Sequence, residues 1–74
     1  MAESGKVLSL REAKRVAKLL GVVFEDKPGS GEIRFSHPVY GRMVQNRRKK
    51  DATGALIRYL RLIAAALGRQ LEDL

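Results

Sequence analysis

Val22-Val23-Phe24-Glu25 and Glu32-Ile33-Arg34-Phe35-Ser36-His37 flank Lys27-Pro28-Gly29-Ser30-Gly31, and this stretch decides the fold. The first run is β-branched and aromatic, a composition that suits a pleated, half-buried surface. The glycine- and proline-rich segment cannot continue it and must turn. The second run alternates: Ile33, Phe35 and His37 lie on one face, and Glu32, Arg34 and Ser36 on the other. That two-residue period predicts a strand with one buried side. Pro38 to Gly41 turns the chain again, and Arg42-Met43-Val44-Gln45-Asn46 is a third, shorter strand. Connections this short cannot carry parallel crossovers, so the three strands form an antiparallel meander.

Helices lie outside the meander on both sides. Ser9-Leu10-Arg11-Glu12 is a capping box: the Ser9 hydroxyl accepts from the Glu12 amide while the Glu12 carboxylate reaches back to the Ser9 amide. Leu10, Ala13, Val16, Ala17 and Leu20 follow at helical spacing, and Gly21 supplies the stop, so the first helix spans about Leu10 to Leu20. After the third strand, Asp51 or Thr53 caps a second helix with a core seam of Leu56, Leu60, Ile63 and Leu67. Ile57, Tyr59, Leu62, Ala64 and Ala66 widen that seam beyond the stripe of an ordinary surface helix, leaving Arg58, Arg61 and Ala65 as the wet side. Either the helix is clamped between sheet and first helix, or part of it (Tyr59, Leu62, Ala66) meets another chain. The order α-β-β-β-α predicts an α+β fold: a two-layer sandwich of a three-stranded antiparallel sheet with two helices on one face.

At 74 residues the chain is a single small domain, with 1–8 and 69–74 expected as flexible ends, the latter also readable as a short helical extension. It has no cysteine and one histidine, so no disulfide, metal site or cofactor is expected. No stretch has the length of a signal-peptide core or a membrane span, so the expected setting is soluble and cytoplasmic.

The charge is +7 and unevenly placed. Arg42 to Lys50 holds five cations and no acid, four of them consecutive at Arg47, Arg48, Lys49 and Lys50. Packed cations repel one another and are most stable in water or against a dense polyanion, of which nucleic acid is the commonest. The first helix adds Arg11, Lys14, Arg15 and Lys18 on the side opposite its apolar stripe. Between Leu10 and Leu20 its apolar face offers only Ala and Val, which disfavours a membrane-surface role.

Several local signals carry a resemblance to a known family. Leu19-Leu20-Gly21-Val22-Val23-Phe24 reads as a helix end, glycine and strand entry; Gly29-Ser30 is followed by Ile33 and Phe35; His37-Pro38 closes the second strand; and Thr53 to Leu60 opens the last helix. In this order and spacing they resemble the HicA family of small toxins, mRNA interferases of double-stranded-RNA-binding-like fold that are neutralised by HicB antitoxins. The similarity runs from about Glu12 to Leu67. Gly31 stands where that family places its catalytic histidine, and a proline usual at the end of the third strand is absent. The resemblance thus implies a relative in fold without the family's nuclease chemistry.

The expectation is a non-catalytic module that binds RNA or other nucleic acid through its phosphates. Arg42, Arg47, Arg48, Lys49 and Lys50 would carry the electrostatics, assisted by Lys27, Arg34 and Tyr40, with Arg11, Lys14, Arg15 and Lys18 as a second basic patch. Two alternatives stay open. One is a protein-interaction module docking an acidic, antitoxin-like partner or a second copy of itself. The other is an endoribonuclease using His37, the one side chain whose ordinary pKa suits acid–base work. A strand-end histidine bonded to backbone is the plainer reading of His37.

Overall fold

In the computed structural model, which describes residues 8–27 and 29–74, the Ser9–Glu12 capping box closes in both directions. The Glu12 amide donates to Ser9 Oγ at 3.1 Å and the Ser9 amide donates to Glu12 Oε1 at 3.2 Å. Helix α1 (Leu10–Leu19) starts there, and Leu20 is its C-cap. Strands β1 (Val23–Lys27), β2 (Glu32–His37) and β3 (Gly41–Asn46) follow, then helix α2 (Gly54–Ala66) and a 3-10 turn, Leu71–Asp73. The α+β arrangement read from the sequence is the one observed. Thr53 rather than Asp51 caps α2, its hydroxyl accepting from the Leu56 amide at 3.2 Å.

The sheet order is β1-β2-β3, antiparallel throughout. Because side chains alternate along a strand, the register assigns each residue to a layer. Phe24 and Asp26 of β1, Ile33 and Phe35 of β2, and Met43 and Gln45 of β3 face the helices. Three cross-strand rows form the uncovered face: Val23–Ser36–Arg42, Glu25–Arg34–Val44 and Lys27–Glu32–Asn46. Helix α1 packs along β1 and α2 along β3. Phe35, Ile33, Leu56, Leu60, Ile63 and Val16 are the large, fully buried apolar side chains between the layers.

The apolar arc of α2 divides between core and solvent. Tyr59, grouped with Leu62 and Ala66 by its wheel position, turns inward, and its hydroxyl donates to the Gly41 carbonyl at 2.8 Å. Ala64 is buried and Ile57 half-buried, whereas Leu62 stays 60% exposed and Ala65 and Ala66 lie in solvent. Leu67 leaves the expected seam because it is the C-cap, 52% exposed. Gly68 follows at φ 73°, and the Gly68 and Arg69 amides return to the Ala65 and Ala64 carbonyls, the Schellman pattern. That reversal brings the tail back over the domain. Leu71 is buried in the core, and Glu72 accepts from Arg61 at 2.7 Å. The expectation for the N-terminal end, residues 1–7, lies outside the described residues, as does Pro28 within the β1–β2 turn; Leu8 is buried in the core.

Burial raises the pKa of Tyr59 above its ordinary value of 10.0. A phenol whose pKa is higher folded than unfolded favours the fold while neutral. That contribution is complete below the unfolded pKa and is lost as pH rises from there through the folded value. Tyr59→Phe should lower stability at neutral pH by about 0.5–1.5 kcal/mol, the net worth of one hydrogen bond. It should also remove part of the loss of stability above about pH 10, the ordinary tyrosine range. Urea titrations of both proteins at neutral and alkaline pH measure this.

Candidate nucleic-acid interface

The basic run occupies the segment between the end of β3 and the start of α2, and backbone hydrogen bonds hold it at both ends. Upstream, the Arg47 amide donates to the Gly31 carbonyl at 3.0 Å, and the Arg48 amide to Asn46 Oδ1 at 2.9 Å. Downstream, Lys50 accepts from the Leu10 amide at 2.7 Å and the Ala52 amide donates to Leu8 at 2.8 Å. Ser9 and Asp51 thus form a β-bridge, which sets the run beside the N-terminus of α1. Both helix N-termini and the β1–β2 turn therefore meet near these four cations.

Asp26 joins this run to the first helix. Its carboxylate lies 3.2 Å from Arg47 Nε and 3.6 Å from Lys14 Nζ. Two positions along α1 matter further: Lys14 and Lys18 hold their ammonium groups 5.9 and 5.8 Å from the Phe24 ring centroid, within cation–π reach. Phe24 and Asp26 share one face of β1 as next-but-one residues. Lys18, Lys14 and Arg47 therefore stand in a row beside Phe24 and Asp26 of β1, and Arg48, Lys49 and Lys50 follow Arg47 in the chain. These last three are exposed, and no ion pair joins them to a carboxylate among the described residues.

Shallow clefts open where the row meets the β1–β2 turn. One is lined by Gly29, Gly31, Arg47 and Arg48, the other by Ser30, Gly31, Glu32, Val44, Asn46 and Arg48. Gly29 and Gly31 have φ of 94° and 75°, a backbone region that glycine enters without steric cost. Arg48 borders both clefts, so it links the helix-side edge to the uncovered face of the sheet.

The remaining residues expected at a binding site are placed elsewhere. Lys27, Arg34 and Arg42 lie on the uncovered face, where Arg34 is opposite Glu25 and 3.9 Å from Glu32, and Lys27 is opposite Glu32. Signs alternate there, so that face is not a uniform cationic surface. Arg15 turns toward the C-terminus and donates to the Leu74 carbonyl at 3.1 Å, which divides the α1 stripe; Arg11 is exposed in the first turn. Tyr40 is half-buried and packs on His37 with ring centroids 5.0 Å apart. His37 ends β2 and Tyr40 is in the turn that follows, so both sit away from Gly31, His37 by about 20 Å along the strand at its usual rise. His37 Nδ1 accepts from the Val39 amide at 3.0 Å, as the plainer reading of a strand-end histidine expects.

Two residues of the site were not picked out from the sequence. Asp26 carries no motif of its own, but alternation with Phe24 places it on the helix face. Gln45 alternates with Met43 in the same way and is 1% exposed. Among the described residues no group of three or more His, Cys, Asp or Glu could hold a metal ion, and no helix is long and apolar enough to cross a membrane. No family model matches the chain, and neither a curated protein nor a solved structure matches it significantly.

Proposed function

We propose that this protein is a small, non-catalytic nucleic-acid-binding module of HicA-like, double-stranded-RNA-binding-like type, holding RNA by its phosphates. The observation that carries this reading is the convergence at Asp26. Cations distant in sequence, Lys14 and Arg47, meet on one carboxylate, and Lys14, Lys18 and Arg47 to Lys50 are six cations against three neighbouring acids, Asp26, Glu12 and Asp51, which leaves the surface net positive. A surface of this kind neutralises consecutive phosphates and releases their counterions. It positions a backbone without reading bases, so sequence preference is weak. The reading gives His37 no catalytic part, since its Nδ1 is engaged by backbone and it stands at the far end of the strand from the cations.

Equilibrium binding of a labelled RNA duplex and of a labelled single strand, titrated with salt, tests it. Log affinity should fall linearly with log salt, with a slope of about −3 to −4 if four or five phosphates are contacted. Two RNAs of unrelated sequence and equal length should bind within a few-fold of each other. No binding to either form at low salt, or an affinity insensitive to salt, overturns the reading.

A second reading rests on its own observation. Leu62 of α2 is 60% exposed, with Ala65 and Ala66 beside it on the outer side of that helix. An acidic protein partner of antitoxin-like kind would cover this surface while its charge meets the basic row. Such a complex survives nuclease treatment and is lost on Leu62→Glu, whereas RNA binding by the isolated protein is not.

A further inference from the structure

We infer that Gln45 is the positioning residue of the basic row, acting by holding the segment that leads from the four cations into α2. Residues 50–53 carry backbone groups to two sides in turn, as an extended chain does. The Lys50 carbonyl and Ala52 amide bond to residues 10 and 8 on one side. The Asp51 carbonyl and Thr53 amide face the other, where no strand among the described residues lies alongside. There Gln45 substitutes for one: its Nε2 donates to the Asp51 carbonyl at 3.0 Å, and its Oε1 accepts from the Thr53 amide at 2.9 Å. Nε2 also lies 3.3 Å from the Asn46 carbonyl, so the same group reaches the residue just before the run.

The chemistry requires this side chain. A carboxylate accepts but cannot donate to Asp51, a thioether cannot donate and accepts only weakly, and an asparagine is one methylene short of spanning both groups. Gln45 is 1% exposed on the inward face, opposite Ile33, so its buried amide is satisfied by these backbone groups and not by bulk water. With Gln45 in place, the run is held from β3 and the α1 bridge together. Without it, the stretch from Lys50 into α2 is held by the bridge to residues 8–10 alone, and Lys49 and Lys50 lose one of the two supports downstream of the contacts that Arg47 and Arg48 make. Spacing the cations to match successive phosphates is thus the task of a residue that touches no ligand.

This inference rests on the nucleic-acid reading above, and its test separates the two. Gln45→Met keeps the length and approximate volume of the side chain, and Gln45→Asn keeps the amide while shortening the reach. Each is compared with the parent by thermal melting, by RNA affinity well below its melting temperature, and by the slope of log affinity against log salt. The expected result is a folded protein with affinity reduced about five- to tenfold and a shallower slope. In a background with Arg47, Arg48, Lys49 and Lys50 all changed to glutamine, Gln45→Met should alter affinity less than twofold. A residue serving the fold alone would lower the melting temperature and leave affinity and slope of the folded protein as they were; that result overturns the inference. If Gln45→Met does not fold, Gln45→Asn decides on the same criteria, and parental affinity and slope in it overturn the inference equally. Failure of the parent itself to bind RNA sinks the nucleic-acid reading and this inference with it.

Discussion

Changing Arg47, Arg48, Lys49 and Lys50 together to glutamine is expected to lower RNA affinity about 100-fold at about 0.15 M salt. The magnitude follows from counterion release. Each phosphate contact contributes about 0.7–0.9 to the slope of log affinity against log salt, worth roughly 0.6–0.7 decades at that salt. Arg48, Lys49 and Lys50 are exposed and joined to no described carboxylate, so each counts nearly in full. Arg47 counts for less, because Asp26 already lies 3.2 Å from its guanidinium. Three full contacts and a partial one give about two decades and a slope flatter by about 2–3. The fold should tolerate the change. None of the four side chains is buried, and glutamine keeps every backbone bond the segment makes. Relieving repulsion ahead of a helix N-terminus even favours a small gain in stability. Fluorescence anisotropy with labelled RNA at several salt concentrations, beside a thermal melt, measures both. Unchanged affinity in a folded quadruple variant removes the basic row from the binding surface.

Local order in this protein was legible because it depends on neighbours in sequence. The Ser9–Glu12 box, the stop at Gly21 and the alternation of Ile33 and Phe35 each follow from residues a few positions apart. Boundaries moved by a residue or two: β1 runs on through Asp26 and Lys27, since cross-strand pairing with Ile33 and Glu32 outweighs their low strand propensity. The candidate site was legible in kind but not in arrangement. Arg47 to Lys50 announced itself by composition, whereas Lys14 joins it only through Asp26, twelve residues further on and in another element. The uncovered face shows the converse. Lys27, Arg34 and Arg42 count as cations in a composition, but the register sets Arg34 and Lys27 against Glu25 and Glu32. Leu71 carried no periodic signal, being one apolar residue in a single 3-10 turn, and it is buried because the Schellman end of α2 reverses the chain.

Phe35→Ala should be the most damaging single substitution in the domain. The ring is fully buried at the centre of the middle strand, with Phe24 beside it at 5.9 Å between centroids and Met43 opposite on β3. Both neighbouring strands and both helices are already committed around it, so the space cannot close without moving an element. Removing a buried phenyl ring typically costs about 3–5 kcal/mol, the sum of lost transfer energy and an unfilled cavity. A 74-residue domain has roughly 4–11 kcal/mol in all, at 0.05–0.15 kcal/mol per residue. At about 4–8 °C per kcal/mol for a domain this size, the melting temperature should fall by well over 10 °C. Phe35→Leu keeps most of the volume and should cost about 1–2 kcal/mol. Thermal or urea denaturation of the two variants measures the difference, and a Phe35→Ala protein melting within a few degrees of the parent contradicts the placement of this ring. The contrast with the basic run is also diagnostic for function. Phe35→Ala should lose RNA binding in step with its folded fraction and keep the parental salt slope in whatever remains folded. The quadruple glutamine variant should stay folded and show a flatter slope. Only a binding surface made of exposed charge on a separately stabilised core separates the two effects in this way.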